Sequence, residues 1–197
     1  MIKAFNRWDT ESIKIDDPGL VNYIGLDPKI VPRTGARYAG RQFHKSRTFI
    51  VERLINKVMV SGHKGKKHLI SSGHNAGKKD KAYKAVFKAF EIIERKLKVN
   101  PVEVFAYAVE NAAPREEIVA IEYGGARYPK AVEVAPQRRV DLALRFMVQG
   151  AYAHSFNKKT LIEESLAAEI IEAYKGSPKS TAIAKKRDTE RQAASSK

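Results

Sequence analysis

Residues 100–134 read NPVEVFAYAVENAAPREEIVAIEYGGARYPKAVEV, and the fold turns on the change of period inside them. The first third reads as a helix. Asn100 suits an N-cap, Pro101 the first helical position, and Glu103 stands three residues after the cap. Val102, Phe105 and Val109 share one face, and Pro114 stops the element because it cannot donate to the helical ladder. From residue 117 the pattern becomes that of strands. Residues 118–123 and 126–134 flank Gly124-Gly125, a two-residue turn that tolerates positive φ at both centres. This register sets Glu122 opposite Arg127 and Ile121 opposite Tyr128, both favourable cross-strand pairs. Pro129 lacks an N–H, so its strand must be an edge. A two-stranded ribbon is marginal alone. Its base must therefore lean on helices, while its tip is free to project.

Working outward, residues 136–154 read as a helix with Val140, Leu144, Met147, Val148 and Ala151 inward. Leu142 and Phe146 widen its apolar surface, which predicts a central position. Residues 161–175 predict another, with Thr160 and Glu163 as a capping box and Gly176 and Pro178 closing it. The tail, 179–197, is polar and weakly helical. On the N-terminal side, Tyr83, Phe87, Phe90, Ile93 and Leu97 make the face of a helix over 80–98, with Val86 beside them. Ile50, Leu54 and Val58 make that of a helix over 46–60, capped by Ser46 and ended by Gly62. Residues 62–79, GHKGKKHLISSGHNAGKK, are a long lysine-rich loop. Residues 1–45 lack a sustained period. They form an irregular arm anchored by Phe5, Trp8, Tyr23 and Ile24, and both arm and loop lack an apolar face that would order them without a partner. The expected fold is all-α: a bundle of about five to six helices with a protruding β-hairpin between the third and fourth main helices. The expected division is an arm (1–45), a helical domain (46–175) carrying the ribbon (117–134), and a basic tail (176–197).

The charge points to a polyanion. Thirty-seven lysines and arginines face 22 acids in 197 residues, a formal net charge of +15, and such an excess repels itself in the folded state. It is also uneven. Residues 49–100 carry a net +9, residues 101–135 a net −3, and the last 22 residues six basic groups against two acids. An RNA-facing side and an outward side would produce such steps. No long apolar run or signal-like segment suggests a membrane. The absence of cysteine excludes disulfides, thiol catalysis and cysteine zinc sites, and fits a reducing compartment.

No enzyme chemistry is legible. Gly73 and Gly77 are separated by three residues and followed by Lys78-Lys79, which fails the spacing of a phosphate-binding loop. His63, His68 and His74 lie on a flexible glycine segment without a carboxylate among them, so no metal is expected. No cofactor or catalytic residue is expected either. The candidate RNA-binding residues are Arg37 and Arg41 in the arm, Lys64, Lys66, Lys67, Lys78 and Lys79 in the loop, and Arg115 before the ribbon. Arg138, Arg139 and Arg145 follow in the next helix, and Lys185, Lys186 and Arg187 in the tail. Arg138-Arg139 open a helix, where positive charge opposes the macrodipole, so a phosphate contact would explain them. At the hairpin tip, Tyr123, Gly124, Gly125, Arg127 and Tyr128 put aromatics beside an arginine, a combination that stacks on bases. A chromatin-type DNA-binding protein would answer the same charge pattern.

The order of motifs resembles the universal small-subunit ribosomal protein seven family. The marks are Ile55-Asn56-Lys57-Val58-Met59, Gly77-Lys78-Lys79, Asn100-Pro101-Val102-Glu103-Val104-Phe105 and Val109-Glu110-Asn111. They continue through Gly124-Gly125-Ala126-Arg127-Tyr128, Val132-Glu133-Val134 and Arg138-Arg139 with Leu142-Ala143-Leu144-Arg145. The series ends with Leu166-Ala167-Ala168-Glu169 and Ala184-Lys185-Lys186-Arg187. The extra stretch at 62–76, the long arm and the short tail resemble the archaeal and eukaryotic branch. The resemblance implies primary binding to the 3′ major domain of small-subunit rRNA and nucleation of head assembly in cytoplasmic ribosomes. It also implies a ribbon close to exit-site tRNA, the mRNA path and small-subunit protein eleven.

Overall fold

The chain is described by a computed structural model over residues 2–62 and 73–197. Its regular elements are α1 (Ile50–Val58), α2 (Lys79–Leu97), α3 (Pro101–Ala112), β1 (Glu116–Tyr123), β2 (Ala126–Glu133), α4 (Pro136–Ser155), α5 (Ile162–Tyr174) and α6 (Thr181–Ala194). α5 is the hub, packed on α2, α3 and α4, while α1 bridges α2 and α4. Its inner face is Leu166, Ala167, Ile170 and Ala173. The alanines let three helices approach one axis, and the leucine and isoleucine fill the gaps between them. Phe90, Phe105, Leu144 and Met147 complete the core without solvent exposure.

The ribbon matches its expected register: Glu122 pairs with Arg127 and Ile121 with Tyr128. Gly124 and Gly125 both take positive φ, 58° and 80°, which a side chain would resist. β1 and β2 are half-buried near residues 116–118 and 131–132 and exposed beyond, so the tip projects.

Four expectations need correction. The first helix starts at Ile50, not at 46, and ends at Val58. Ser46 lies in a short 3-10 turn (His44–Arg47) and its buried hydroxyl makes no hydrogen bond. The Ile50 N–H donates instead to Gly25 O at 2.8 Å, so the arm supplies the cap. The α5 start is displaced by one residue. Leu161 is the N-cap, and Glu164, not Glu163, accepts its N–H at 3.3 Å. A leucine side chain cannot accept in return, so the box has only its carboxylate half. The other end closes as expected: Ser177 and Gly176 N–H groups return to Glu172 O and Ala173 O, both at 3.0 Å.

The tail, expected to be only weakly helical, forms the docked helix α6. The Ser180 hydroxyl caps α6, accepting from Ile183 N–H at 3.4 Å. Glu169, 4% exposed on α5, accepts from Ser180 Oγ at 2.8 Å and Ala182 N–H at 2.9 Å. A Cβ on Gly150 of α4 would stand 2.7 Å from Thr181, so only glycine lets α6 begin there. α6 then runs across α4 and the base of β1.

The arm is also part of the core. Ala4, Phe5, Trp8, Ile13, Leu20 and Ile24 are buried. The Phe5 ring lies 5.6 Å from Trp8, 5.3 Å from Tyr83 and 5.5 Å from Phe87, and Trp8 lies 5.8 Å from Phe90. Arg7 bonds Glu91 at 3.0 Å and Glu94 at 2.6 Å outside this cluster. Phe5, Trp8 and Ile24 are anchors the sequence named, while Ala4, Ile13 and Leu20 were missed because the arm's apolar residues follow no period. Replacing Trp8 with alanine should therefore cost about 3–5 kcal/mol in urea unfolding of the free protein, the range for a large buried aromatic. A loss below about 1 kcal/mol would show that the arm is not docked without RNA.

Candidate nucleic-acid interface

Cations outnumber acids on this chain, so the first question is which cations the fold already uses. Arg139 is 8% exposed; its Nη2 donates to Asp17 at 2.7 Å and its Nε to Pro114 O at 3.2 Å. It pins the arm to the start of α4. Arg138 makes a two-pronged pair with Glu117, at 2.7 and 2.8 Å, joining α4 to the ribbon base. That hydrogen bonding, against some burial, holds its guanidinium pKa above the ordinary value. Lys79 reaches Glu52 on α1 at 2.8 Å, and Thr34 of the arm donates to the same carboxylate from its N–H at 2.8 Å and its hydroxyl at 3.1 Å.

α6 uses its basic trio in a similar way. Lys186 donates to Asn111 O at 2.8 Å and Arg187 to Gly176 O at 3.2 Å, both at helix ends, while Lys185 stands 5.7 Å over the Phe146 ring. Positive charge at these carbonyls satisfies orphan acceptors and suits the dipole. Burial lowers the Lys186 pKa, with Arg115 and Arg139 adding to the effect against Glu190 and Asp17.

The remaining candidates are open to solvent. Arg37, Arg41, Lys78, Arg115 and Arg145 are exposed. Arg37 lines a cleft of about 340 Å³ with Lys29, Arg33, His44 and Arg47, where Thr34 and Tyr38 supply further polar groups. At the ribbon tip, Tyr123 is 81% and Tyr128 58% exposed. Arg127 stands 3.5 Å from Glu122, its cross-strand partner. Lys64, Lys66, Lys67, His63 and His68 lie outside the described residues.

A cluster not singled out from the sequence lies where α1 meets α4. Arg53, 6% exposed, donates to Tyr23 O at 2.9 Å and to Asp141 at 3.2 Å. Lys45 bonds the other Asp141 oxygen. Lys57 and Arg145 complete the group. The Lys57 pKa is lowered, first by burial and then, against Asp141, by the charges of Arg145, Lys45 and Arg53. Lys45 and Arg53 thus share one carboxylate, and the charges of Lys57 and Arg145 lie close by. The sequence held a partial signal: Lys45 closes the basic stretch of the arm, and Lys57 falls just off the apolar face of α1. Nothing in it said that α4 would bring Arg145 alongside.

Among the described residues, no group of three potential ligands could hold a metal. No helix is long and apolar enough to cross a membrane.

The sequence profile of the ribosomal protein S7p/S5e family matches residues 21–197. The chain belongs to that family. Three archaeal proteins named small ribosomal subunit protein uS7 are similar to it over nearly their whole length. The one from Nanoarchaeum equitans is 53% identical over 196 residues, covering all of this chain and 99% of its own. That from Methanothermobacter thermautotrophicus is 48% identical, with 97% of each chain covered. That from Archaeoglobus fulgidus is 47% identical, covering 98% of this chain and 94% of its own. The resemblance read from the motifs is borne out, including its archaeal character. A ribosomal protein S7p/S5e is a non-enzymatic, RNA-binding component of the ribosome, which accounts for a fold whose acids fasten segments instead of forming a reaction centre.

The pinning carboxylates give a pH signature. Burial pushes Asp17 and Asp141 up. The hydrogen bond from Arg139 to Asp17, and those from Lys45 and Arg53 to Asp141 together with their charges, outweigh it, so both settle below the ordinary 3.8. A carboxyl whose folded pKa lies below its unfolded value contributes stability that is complete above about pH 4 and lost as the pH falls through the folded value. Unfolding free energy should therefore fall as the pH drops below about 4, and fall less steeply in the Asp17→Asn/Asp141→Asn double variant. Equal slopes would contradict the pairing.

Proposed function

We propose that this chain is a primary rRNA-binding protein of the small subunit in cytoplasmic ribosomes. It grips the 3′ major domain through the α1–α4 cluster and the basic arm, and organises assembly of the head. The observation that carries the reading is the crowding of Lys45, Arg53, Lys57 and Arg145 where α1 meets α4, with Asp141 bonded by Lys45 and Arg53. A fold designed for stability alone would not gather four cations around one carboxylate; a surface that receives phosphates gains from it. Arg37, Arg41, Lys78 and Arg115, exposed around the same molecule, extend this role. So do Lys64, Lys66 and Lys67 by their composition. Arg139, Lys79, Lys186 and Arg187 act first as internal fasteners, and any RNA contact they make is secondary to that.

Salt dependence tests the assignment. Each neutralised phosphate releases counterions, at a slope of about 0.9 per contact on duplex. The Lys57→Ala/Arg145→Ala variant should lose up to about 2 from that slope on a 3′-major-domain transcript. Its thermal stability should stay level or rise, because like-charge repulsion is relieved. An unchanged slope would place the RNA elsewhere.

The ribbon has a separate task in this proposal. Tyr123, Arg127 and Tyr128 stand beyond the reach of the core, near exit-site tRNA, the mRNA path and small-subunit protein eleven. Gly124 and Gly125 supply the turn that presents them. Shortening the tip should leave melting temperature and transcript affinity nearly intact, since surface changes usually stay within about 0.5 kcal/mol. Assembled subunits should then lose exit-site tRNA faster. Failure of the shortened protein to bind rRNA would instead put the ribbon in the primary site.

A further inference from the structure

The ribbon leans on one helix. Its strands are half-buried at residues 116–118 and 131–132. Among the described residues α6 is the helix that lies against them, and no other helix makes more than marginal contact with β1 or β2. Two polar ties join the ribbon base to the far end of α6. Glu190 accepts from the Arg115 N–H at 2.9 Å, and Lys197 pairs with Glu116 at 2.7 Å. Arg138 ties Glu117 to α4 as well, but from a side chain 53% exposed, where an ion pair holds little. The near end of α6 is seated apart from the ribbon, on α4 and α5, through Gly150, Glu169 and Ser180. Glu190 stands nine residues beyond Thr181, about 14 Å along the helix axis.

Neither partner is stable alone. A two-stranded ribbon is marginal without a support. A helix of 14 residues is marginal too, and α6 buries only Ala182, Ile183 and Ala193. So little apolar burial leaves the docking to the seat. There the Glu169 carboxylate holds the Ser180 hydroxyl and the Ala182 N–H. A Cβ on Gly150 would meet the Thr181 Cβ and Oγ1 at 2.7 Å and the Glu169 carboxyl carbon at 3.1 Å. The bundle closes without this helix, because α5 already packs on α2, α3 and α4. Phe90, Phe105, Leu144 and Met147, which fill the core, stand on those helices. Ribbon and α6 therefore make one cooperative unit that opens more easily than the bundle.

We propose that α6 is a strut that orders and aims the ribbon, and that the seat at Gly150, Glu169 and Ser180 is its latch. Opening the latch releases the ribbon, although no latch residue belongs to it. The device belongs to the free protein and does not depend on what the ribbon meets. Amide hydrogen exchange on the full chain tests it, comparing wild type with Gly150→Ala, Ser180→Ala and Ile183→Ala. Protection in α6 and at the ribbon base, residues 116–118 and 131–134, should fall together from variant to variant. The fall should be about ten-fold or more in Gly150→Ala, with α2 and α3 unchanged. The aim is read separately, from the distance between spin labels on Ala126→Cys at the tip and Lys84→Cys on α2, in a chain that has no other cysteine. That distance should be narrowly distributed in the otherwise wild-type chain and broad when Gly150→Ala is added. Three results overturn the proposal. One is a ribbon that keeps its protection and its narrow distance while α6 opens. Another is α6 protection unchanged in all three variants, which removes the latch. The third is loss of protection throughout α2–α5, which shows that α6 and the ribbon are not a separate unit.

Discussion

The carboxylate of Asp141 takes Lys45 from the arm and Arg53 from α1, and Arg53 also holds Tyr23 O. Through this one group the arm, the first helix and α4 are tied together. Ion pairs of this depth stabilise little in net terms, because desolvation offsets the attraction. What they set is geometry. Without the Asp141 charge, Arg53 would be a buried cation with a single backbone partner, and α1 could not lie where it does.

The same device recurs wherever an irregular segment meets a helix. Asp17 with Arg139 fixes the arm to α4, Glu52 with Lys79 and Thr34 fixes it to α1 and α2, and Glu117 with Arg138 fixes the ribbon base. Glu169 does so for α6 through a hydroxyl and an N–H instead of a cation. With 22 acids against 37 lysines and arginines, spending carboxylates on these joints leaves many surface cations without an acidic neighbour. The charge excess and the RNA-binding role are therefore consequences of the same allocation. Repulsion that costs the free protein stability is relieved when phosphates arrive.

The helices and the ribbon register were legible because each depends on neighbours in sequence. The Gly124-Gly125 turn fixes which residues of β1 and β2 face each other, and the 3.6-residue period of α2 and α4 declares their buried faces. The joints were not legible, because their partners are far apart. Arg139 finds Asp17 across 122 positions, and Asp141 finds Lys45 across 96. Read alone, Arg138-Arg139 at a helix start suggested phosphate contact; in the fold both have carboxylate partners. The tail looked weakly helical because only Ala182, Ile183 and Ala193 are buried, and what seats them is Glu169 and the missing side chain at Gly150. The Lys57–Arg145 pairing needed the packing of α1 on α4 before it could be seen.

The central claim is that the cations left over from these joints are arranged for one folded RNA and are not a general polyanion surface. The most direct measurement is competition at fixed, physiological salt between a 3′-major-domain rRNA transcript and duplex DNA of equal length for the full chain. Specific nucleic-acid recognition typically exceeds non-specific binding by about a thousand-fold or more. The account predicts a preference of that order for the transcript, reduced in the Lys57→Ala/Arg145→Ala variant. Equal affinity for the two, in wild type and variant alike, would contradict it.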